Sequence, residues 1–141
     1  MKTVICSGYW NPLHTGHLDY LEAARNLGDR LWVIVNNDQQ VKLKGSSPFM
    51  ACGARLRIIK GLRIVDQAFL SFDEDKTVCE TLAWLGETAK LDGLVVFANG
   101  GDQTVDTVPE MAVCEKLRID MQFGVGGAKV TSSSELIEAA Q

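Results

Sequence analysis

The chain has 141 residues, and its 14 basic and 18 acidic side chains give a formal net charge of −4 at pH 7. This length suits one domain spanning residues 1–141 and leaves little room for a second. With 46% hydrophobic and 23% charged residues, the composition excludes a disordered or collagen-like chain. A mildly acidic chain without a block of lysine and arginine predicts no binding to nucleic acid or to a membrane surface.

The cysteines and the apolar runs predict a cytoplasmic protein. Cys6, Cys52, Cys79 and Cys114 are widely spaced and form no CxxC pair. Such spacing favours reduced thiols over a zinc site or a disulfide framework. The N-terminal apolar core is too short for a signal peptide, and no apolar run approaches the roughly 18–20 residues that span a bilayer.

Short apolar runs alternate with helical patterns along the whole chain. The runs that predict strands lie at 3–7, 31–36, 68–72, 93–98 and 119–125. Continuous apolar runs of this length are typical of strands that are covered on both faces of a parallel sheet.

Helices are predicted between these strands. Helical periodicity follows the first strand up to Gly28, a residue typical of a helix C-terminus, and recurs over 54–62. The polar, turn-rich segment 38–48 predicts a loop. Capping-box patterns predict three later helix starts, the second with Pro109 in its first turn: Thr77-x-x-Glu80, Thr107-x-x-Glu110 and Ser132-x-x-Glu135.

Five strand–helix repeats predict a single doubly wound α/β domain, with a five-stranded parallel sheet and helices on both faces. Open parallel sheets bind ligands at the carboxyl ends of their strands, where the strand order reverses. The loops that meet this edge are 8–17, 36–48, 99–106 and 126–132.

The first of these loops carries both histidines of the chain, His14 and His17, at the start of the first helix. The free amides and the positive end of the helix dipole favour a phosphate there, and each imidazole adds a donor. Gly16 permits a close approach of the backbone to a ligand, and Gly8 permits a tight exit from the strand. The alternative is that the two histidines are ordinary capping or surface residues.

These residues resemble a known superfamily. His14-Thr15-Gly16-His17 matches the HxGH signature of the nucleotidyltransferases, and the block from Gly8 to His17 is similar to their wider G-x-F-D-x-x-H-x-G-H pattern. Within the superfamily the chain resembles the small cytidylyltransferase-like group, and residues 20–31 resemble its heptose-phosphate adenylyltransferases. The other matching segments, in chain order, are Asn37-Asp38 with Lys42, Lys44 and Gly45; Arg55; Asn99-Gly100-Gly101-Asp102; and Ser132-Ser133-Ser134.

The resemblance implies the transfer of AMP or CMP from a nucleoside triphosphate, with bound Mg²⁺, to a small phosphorylated sugar or polyol, with release of pyrophosphate. It favours ATP over CTP, implies no resident metal, and permits a homodimer. It assigns His14 and His17 to the α- and β-phosphates, and Lys44 to the α-phosphate and the acceptor phosphate.

The resemblance also implies further ligand contacts. The β- and γ-phosphates would contact Arg55, Ser132, Ser133 and Ser134. The base would lie beside Gly100, Gly101 and Asp102. Other contacts to the nucleotide would come from Gly8, Tyr9, Trp10, Asn11, Gly16 and Asn99. The acceptor would contact Asp38, Lys42 and Lys129.

Three departures from the family pattern leave alternatives open. Trp10 replaces a phenylalanine, Asn11 an aspartate, and Ala54 the glutamate before the family arginine. The last two motivate a rival function, a nucleotide-binding regulator of the same fold without turnover. A nicotinamide oxidoreductase is a second rival, but no G-x-G-x-x-G follows the first strand. The glycine-rich segment 124–129 matches neither a P-loop nor a dinucleotide fingerprint, and it predicts a phosphate-side turn.

Overall fold

The computed structural model of the protein describes residues 1–101 and 108–127. The strands are β1 (Lys2–Gly8), β2 (Arg30–Val35), β3 (Gln67–Leu70), β4 (Leu94–Gly100) and β5 (Asp120–Val125). The helices are α1 (Thr15–Arg25), α2 (Asp38–Leu43), α3 (Cys52–Lys60), α4 (Cys79–Lys90) and α5 (Met111–Leu117).

The five strands form one parallel sheet in the order β3-β2-β1-β4-β5. This topology confirms the predicted doubly wound fold, and all five predicted strands are present with ends that shift by at most two residues. Parallel neighbours need crossover connections, which the intervening helices provide.

Helices cover both faces of the sheet because successive strand residues point to opposite sides. On one face, Leu21 of α1 and Ile59 of α3 are fully buried in the cluster that contains Val33 of β2. On the other face, Leu82 of α4 packs in the cluster that contains Phe97 of β4. Each such side chain contributes roughly 1.5–3 kcal/mol when it is fully buried. The strands are therefore rigid supports for the loops at their ends.

A crevice opens between β1 and β4 at the carboxyl edge of the sheet. The two strands pair only as far as Ile5 and Phe97. Beyond that point β1 continues to pair with β2 up to Gly8, and β4 with β5 up to Gly100. The strands that diverge here are those at which the strand order reverses, the usual ligand site of such sheets.

The prediction of a loop over 38–48 is wrong in its first half, because α2 occupies Asp38–Leu43. Asn37 caps this helix: its side-chain oxygen accepts a hydrogen bond from the backbone of Gln40 at 2.9 Å. In return the Gln40 side-chain oxygen accepts the backbone N–H of Asn37 at 3.0 Å. This Asn/Gln capping box satisfies two free amides and makes so short a helix stable.

The capping box predicted at Thr77 is absent, and Pro109 does not lie in the first turn of its helix. Helix α4 begins at Cys79, whose amide donates to the Thr77 hydroxyl at 3.3 Å. The next two amides bond the buried carboxylate of Asp73, at 2.8 Å from Glu80 and 3.0 Å from Thr81. The carboxylate thus takes the place predicted for the hydroxyl of Thr77. Helix α5 begins at Met111 without a side-chain cap, so Pro109 precedes its first turn.

Other predictions fall partly or wholly outside the described residues. Thr107 and the Ser132–Glu135 box lie outside the described residues.

All four cysteines are free thiols. Among the described helices, none is long and apolar enough to cross a membrane.

Candidate active site at the carboxyl edge of the sheet

His14 and His17 close a capping box at the start of α1. The backbone N–H of Gly16 donates to His14 Nδ1 at 3.1 Å, and the backbone N–H of His14 donates to His17 Nδ1 at 3.1 Å. The two rings stack with centroids 3.7 Å apart. Because both Nδ1 atoms accept hydrogen bonds, the proton of each neutral ring lies on Nε2. The capping alternative is therefore correct as a local description, and it leaves each ring able to donate from Nε2.

The buried indole of Trp10 packs against the ring of His17. The indole is 2% exposed, donates from Nε1 to the Ile34 carbonyl at 3.3 Å, and meets the His17 ring edge-on at 5.0 Å. A Cβ on Gly8 would lie 2.7 Å from this indole, so glycine is needed there for close packing. The indole is therefore packed inside the protein, and the expected contact of Trp10 with a nucleotide stays a prediction.

Arg55 is fully buried and forms hydrogen bonds to three loops. Its guanidinium donates to the carbonyls of Met50 at 2.9 Å, Tyr9 at 2.6 Å and Asn36 at 2.7 Å. It also donates to a carboxylate oxygen of Asp38 at 2.8 Å. These bonds use four of the five guanidinium N–H groups. The structure therefore places Arg55 within the protein's own loops rather than facing a triphosphate, and its expected phosphate contact has no support from this geometry.

Asp38 is held in place by the same arginine. Its side chain is about one-third exposed and forms an ion pair with Arg55. Partial burial raises the pKa of the carboxyl, but hydrogen bonds from Arg55 and Cys52 and the guanidinium charge outweigh it, so that the pKa lies below the ordinary value. Asp38 is thus an ionised anchor for the start of α2.

Asn11 clamps the loop between α2 and α3. Its amide nitrogen donates to the Ser47 carbonyl at 2.9 Å, and its amide oxygen accepts the backbone N–H of Met50 at 3.0 Å. The side chain is nearly inaccessible. An aspartate here could accept from Met50 but could not donate to Ser47. The departure from the family pattern therefore has a structural explanation.

Lys44 lies at the C-terminal end of α2, with its Nζ 4.4 Å from the centroid of the Tyr9 ring. Burial, and then the charge of Glu110, raise the pKa of Tyr9, so the phenol stays neutral beneath the ammonium group. Arg55 holds the backbone carbonyl of the same tyrosine. Lys42, two residues earlier in the chain, is also exposed.

The other border of the crevice is the end of β4. The Asn99 amide donates to the Gln122 carbonyl at 3.3 Å, across an irregularity in the pairing of β4 with β5. Gly101 follows with a positive φ of 31°, a conformation that glycine adopts readily. Asp102, Lys129, Ser132, Ser133 and Ser134 lie outside the described residues, and their expected roles stay predictions.

A network of side-chain amides near the site was missed from the sequence. Asn37 donates to the carbonyls of Ser71 and Asp73, and Gln40 donates to those of Asp75 and Thr77. These bonds attach the loop after β3 to α2. The signal was the polar run Asn36–Gln40 directly after a buried strand, where amides with both donors and acceptors can satisfy loop backbone groups.

Comparison with known proteins shows the family of the chain. The family model described as Cytidylyltransferase-like matches residues 5–136. The bifunctional protein HldE of Haemophilus ducreyi is 43% identical over 113 residues, which are 72% of this chain and 24% of that protein. The FAD synthase of Methanoculleus marisnigri is 50% identical over 70 residues, which are 50% of this chain and 46% of that protein. The chain thus spans about a quarter of the length of HldE.

A solved structure shares the fold. The lipopolysaccharide core biosynthesis protein of Thermoplasma volcanium superposes with a TM-score of 0.70 at 28% sequence identity. The match covers 88% of this chain and 94% of that one. The likeness therefore extends over most of both chains.

Proposed function

We propose, from the premise that the chain belongs to the cytidylyltransferase-like family, that it is a nucleotidyltransferase acting on a small phosphorylated acceptor. In this reaction an acceptor phosphate oxygen attacks the α-phosphorus of a nucleoside triphosphate. The bond from the α-phosphorus to the bridging oxygen breaks, and pyrophosphate leaves with the electron pair. Such a transfer needs positioning and charge stabilisation rather than covalent chemistry from the protein.

The capped histidine pair is the observation that carries this proposal. Both rings are fixed by backbone hydrogen bonds at Nδ1 and stack at 3.7 Å at the N-terminus of α1. Donors that are held in place before the reaction stabilise developing charge without reorganisation. We assign Nε2 of His14 and His17 to the α- and β-phosphate oxygens, where negative charge grows as pyrophosphate departs.

Lys44 supplies the charge on the acceptor side. Its ammonium group borders the same loop as the histidines, through the ring of Tyr9. Bringing two phosphates together requires a cation between them, because their mutual repulsion would otherwise oppose the attack. Lys44 would contact both the α-phosphate and the acceptor phosphate, and exposed Lys42 would assist the acceptor.

Mg²⁺ would arrive as part of the triphosphate substrate. Within the described residues, no group of three or more histidine, cysteine, aspartate or glutamate side chains could hold a metal ion. The carboxylate of Asp38, moreover, is paired with Arg55. Mg²⁺ is commonly bound mainly by substrate phosphates and water.

A pyrophosphate-release screen tests the proposal. ATP and CTP would each be combined with phosphorylated sugars, phosphorylated polyols and flavin mononucleotide, the last because one similar protein is an FAD synthase. We expect turnover with a small phosphorylated sugar or polyol, and with ATP rather than CTP. Binding of triphosphate without turnover on any acceptor would favour the alternative function, a nucleotide-binding regulator of the same fold. Asn11, which replaces the aspartate of the family pattern, motivates that alternative.

A further inference from the structure

Tyr20 of α1 reaches into the crevice between β1 and β4. Its hydroxyl donates to the Ala98 carbonyl at 2.5 Å and interacts with the thiol of Cys6 on β1. Ala98 is the first residue of β4 beyond the last pair with β1. The tyrosine hydroxyl therefore provides the hydrogen bond that a continuing ladder would have given, and it does so where the strands separate.

The tyrosine also contacts both halves of the site. Its ring stacks on Trp10 at 6.2 Å, and Trp10 supports His17. A Cβ on Gly100 would lie 3.2 Å from the Tyr20 ring, and one on Gly126 would lie 2.7 Å from the Tyr20 Cα. The ends of β4 and β5 thus pack directly against this one residue.

We infer that Tyr20 is a positioning residue for nucleobase recognition: it fixes the backbone of Ala98–Gly101 relative to His17. His17 and Tyr20 are three residues apart on one helix face, so they move together. Loss of the hydroxyl frees the Ala98 carbonyl and shifts the β4 side of the crevice, while the capped histidines stay in place. The inference rests on the proposed function, because it assumes that the β4 side holds the base.

Calorimetric titration distinguishes the base side of the site from the phosphate side. The whole chain would be titrated with ATP, with CTP and with inorganic tripolyphosphate, all in the presence of Mg²⁺. For Tyr20→Phe we expect about fivefold weaker binding of ATP and CTP, the equivalent of one hydrogen bond, and nearly unchanged tripolyphosphate binding. Gly100→Ala should give the same selective loss with the tyrosine intact, which covers the case that Tyr20→Phe fails to fold.

Thr3→Val is the matched control. It removes the bond from Arg30 Nε to the Thr3 hydroxyl, 2.7 Å long, at the opposite edge of the sheet, and should change none of the three affinities. Equal weakening of nucleotides and tripolyphosphate in both site variants, or unchanged nucleotide binding, would overturn the inference. Failure of the wild type to bind either nucleotide would instead refute the proposed function on which it rests.

Discussion

His14 and His17 cap the helix that they begin: the backbone N–H of His14 donates to His17 Nδ1, and the stacked rings lie 3.7 Å apart. A side chain that both satisfies a helix terminus and donates to a ligand is fixed before the ligand arrives. Under the proposed function, mutation of either histidine should therefore affect stability and turnover together. The two effects have to be separated by the choice of substitution.

Paired substitutions at His17 separate them. His17→Ala should lower the free energy of unfolding by about 0.5–2 kcal/mol through the lost cap, and turnover by about 10²-fold or more. His17→Gln keeps a side-chain oxygen for the His14 amide and should restore most of the stability but not the turnover. Denaturant unfolding and pyrophosphate release measure the two effects. Near wild-type turnover in His17→Gln would exclude a role for the imidazole.

Lys44→Met should reduce turnover by about 10²-fold or more, because a charge-stabilising donor is lost. The thermal midpoint should change little, since the residue lies at the exposed end of α2. Lys60→Met, which removes an exposed lysine at the end of α3, is the control and should keep full turnover. Equal turnover in the two variants would remove Lys44 from the mechanism.

Arg55→Lys should destabilise the protein by about 2 kcal/mol or more, because three ammonium N–H groups cannot satisfy four acceptors that are fixed around a planar group. Arg57→Lys, on the exposed side of the same helix, should be neutral. Thermal and chemical unfolding compare them. A stable Arg55→Lys protein with weak triphosphate binding would instead support the phosphate contact expected from the sequence.

The sequence predicts this fold well and the contacts of the site only in part. Buried strands are recognisable in the sequence as short apolar runs, so the sheet and its carboxyl edge could be predicted. The bonds of Arg55 depend on where three loops meet, which no local pattern encodes. The cap of α4 came from Asp73, six residues before the helix begins, and displaced the local pattern at Thr77. Capping by the histidines was only an alternative in the sequence analysis, because imidazoles are not part of the usual capping pattern.

Asn11→Asp should restore the family residue and still destabilise this protein. The carboxylate would lie against the Ser47 carbonyl, to which the amide now donates at 2.9 Å, in a site that is 3% exposed. We expect a loss of about 1–3 kcal/mol from the unpaired acceptor and the buried charge. Unfolding at neutral pH measures it. Unchanged stability would show that the clamp on the 47–50 loop does not depend on the amide.

Asp38→Asn should remove a pH dependence of stability. The folded pKa of Asp38 lies below its ordinary value, so its contribution is fully present above the unfolded pKa and is lost as the pH falls through the folded pKa. The difference in thermal midpoint between wild type and variant should therefore be largest at neutral pH and shrink from about pH 5 to about pH 3. A constant difference over this range would contradict the ion pair with Arg55.

Phosphorus NMR of one reaction mixture tests the central claim most directly. The mixture contains the wild-type chain, ATP, Mg²⁺ and the phosphorylated acceptor chosen by the screen. The β-phosphate signal of ATP should disappear while the signals of pyrophosphate and of a new diphosphate diester grow in equal amounts. The variant His17→Gln should slow the formation of both products together. Release of inorganic phosphate with ADP, or loss of ATP without a new diester, would contradict nucleotidyl transfer by this site.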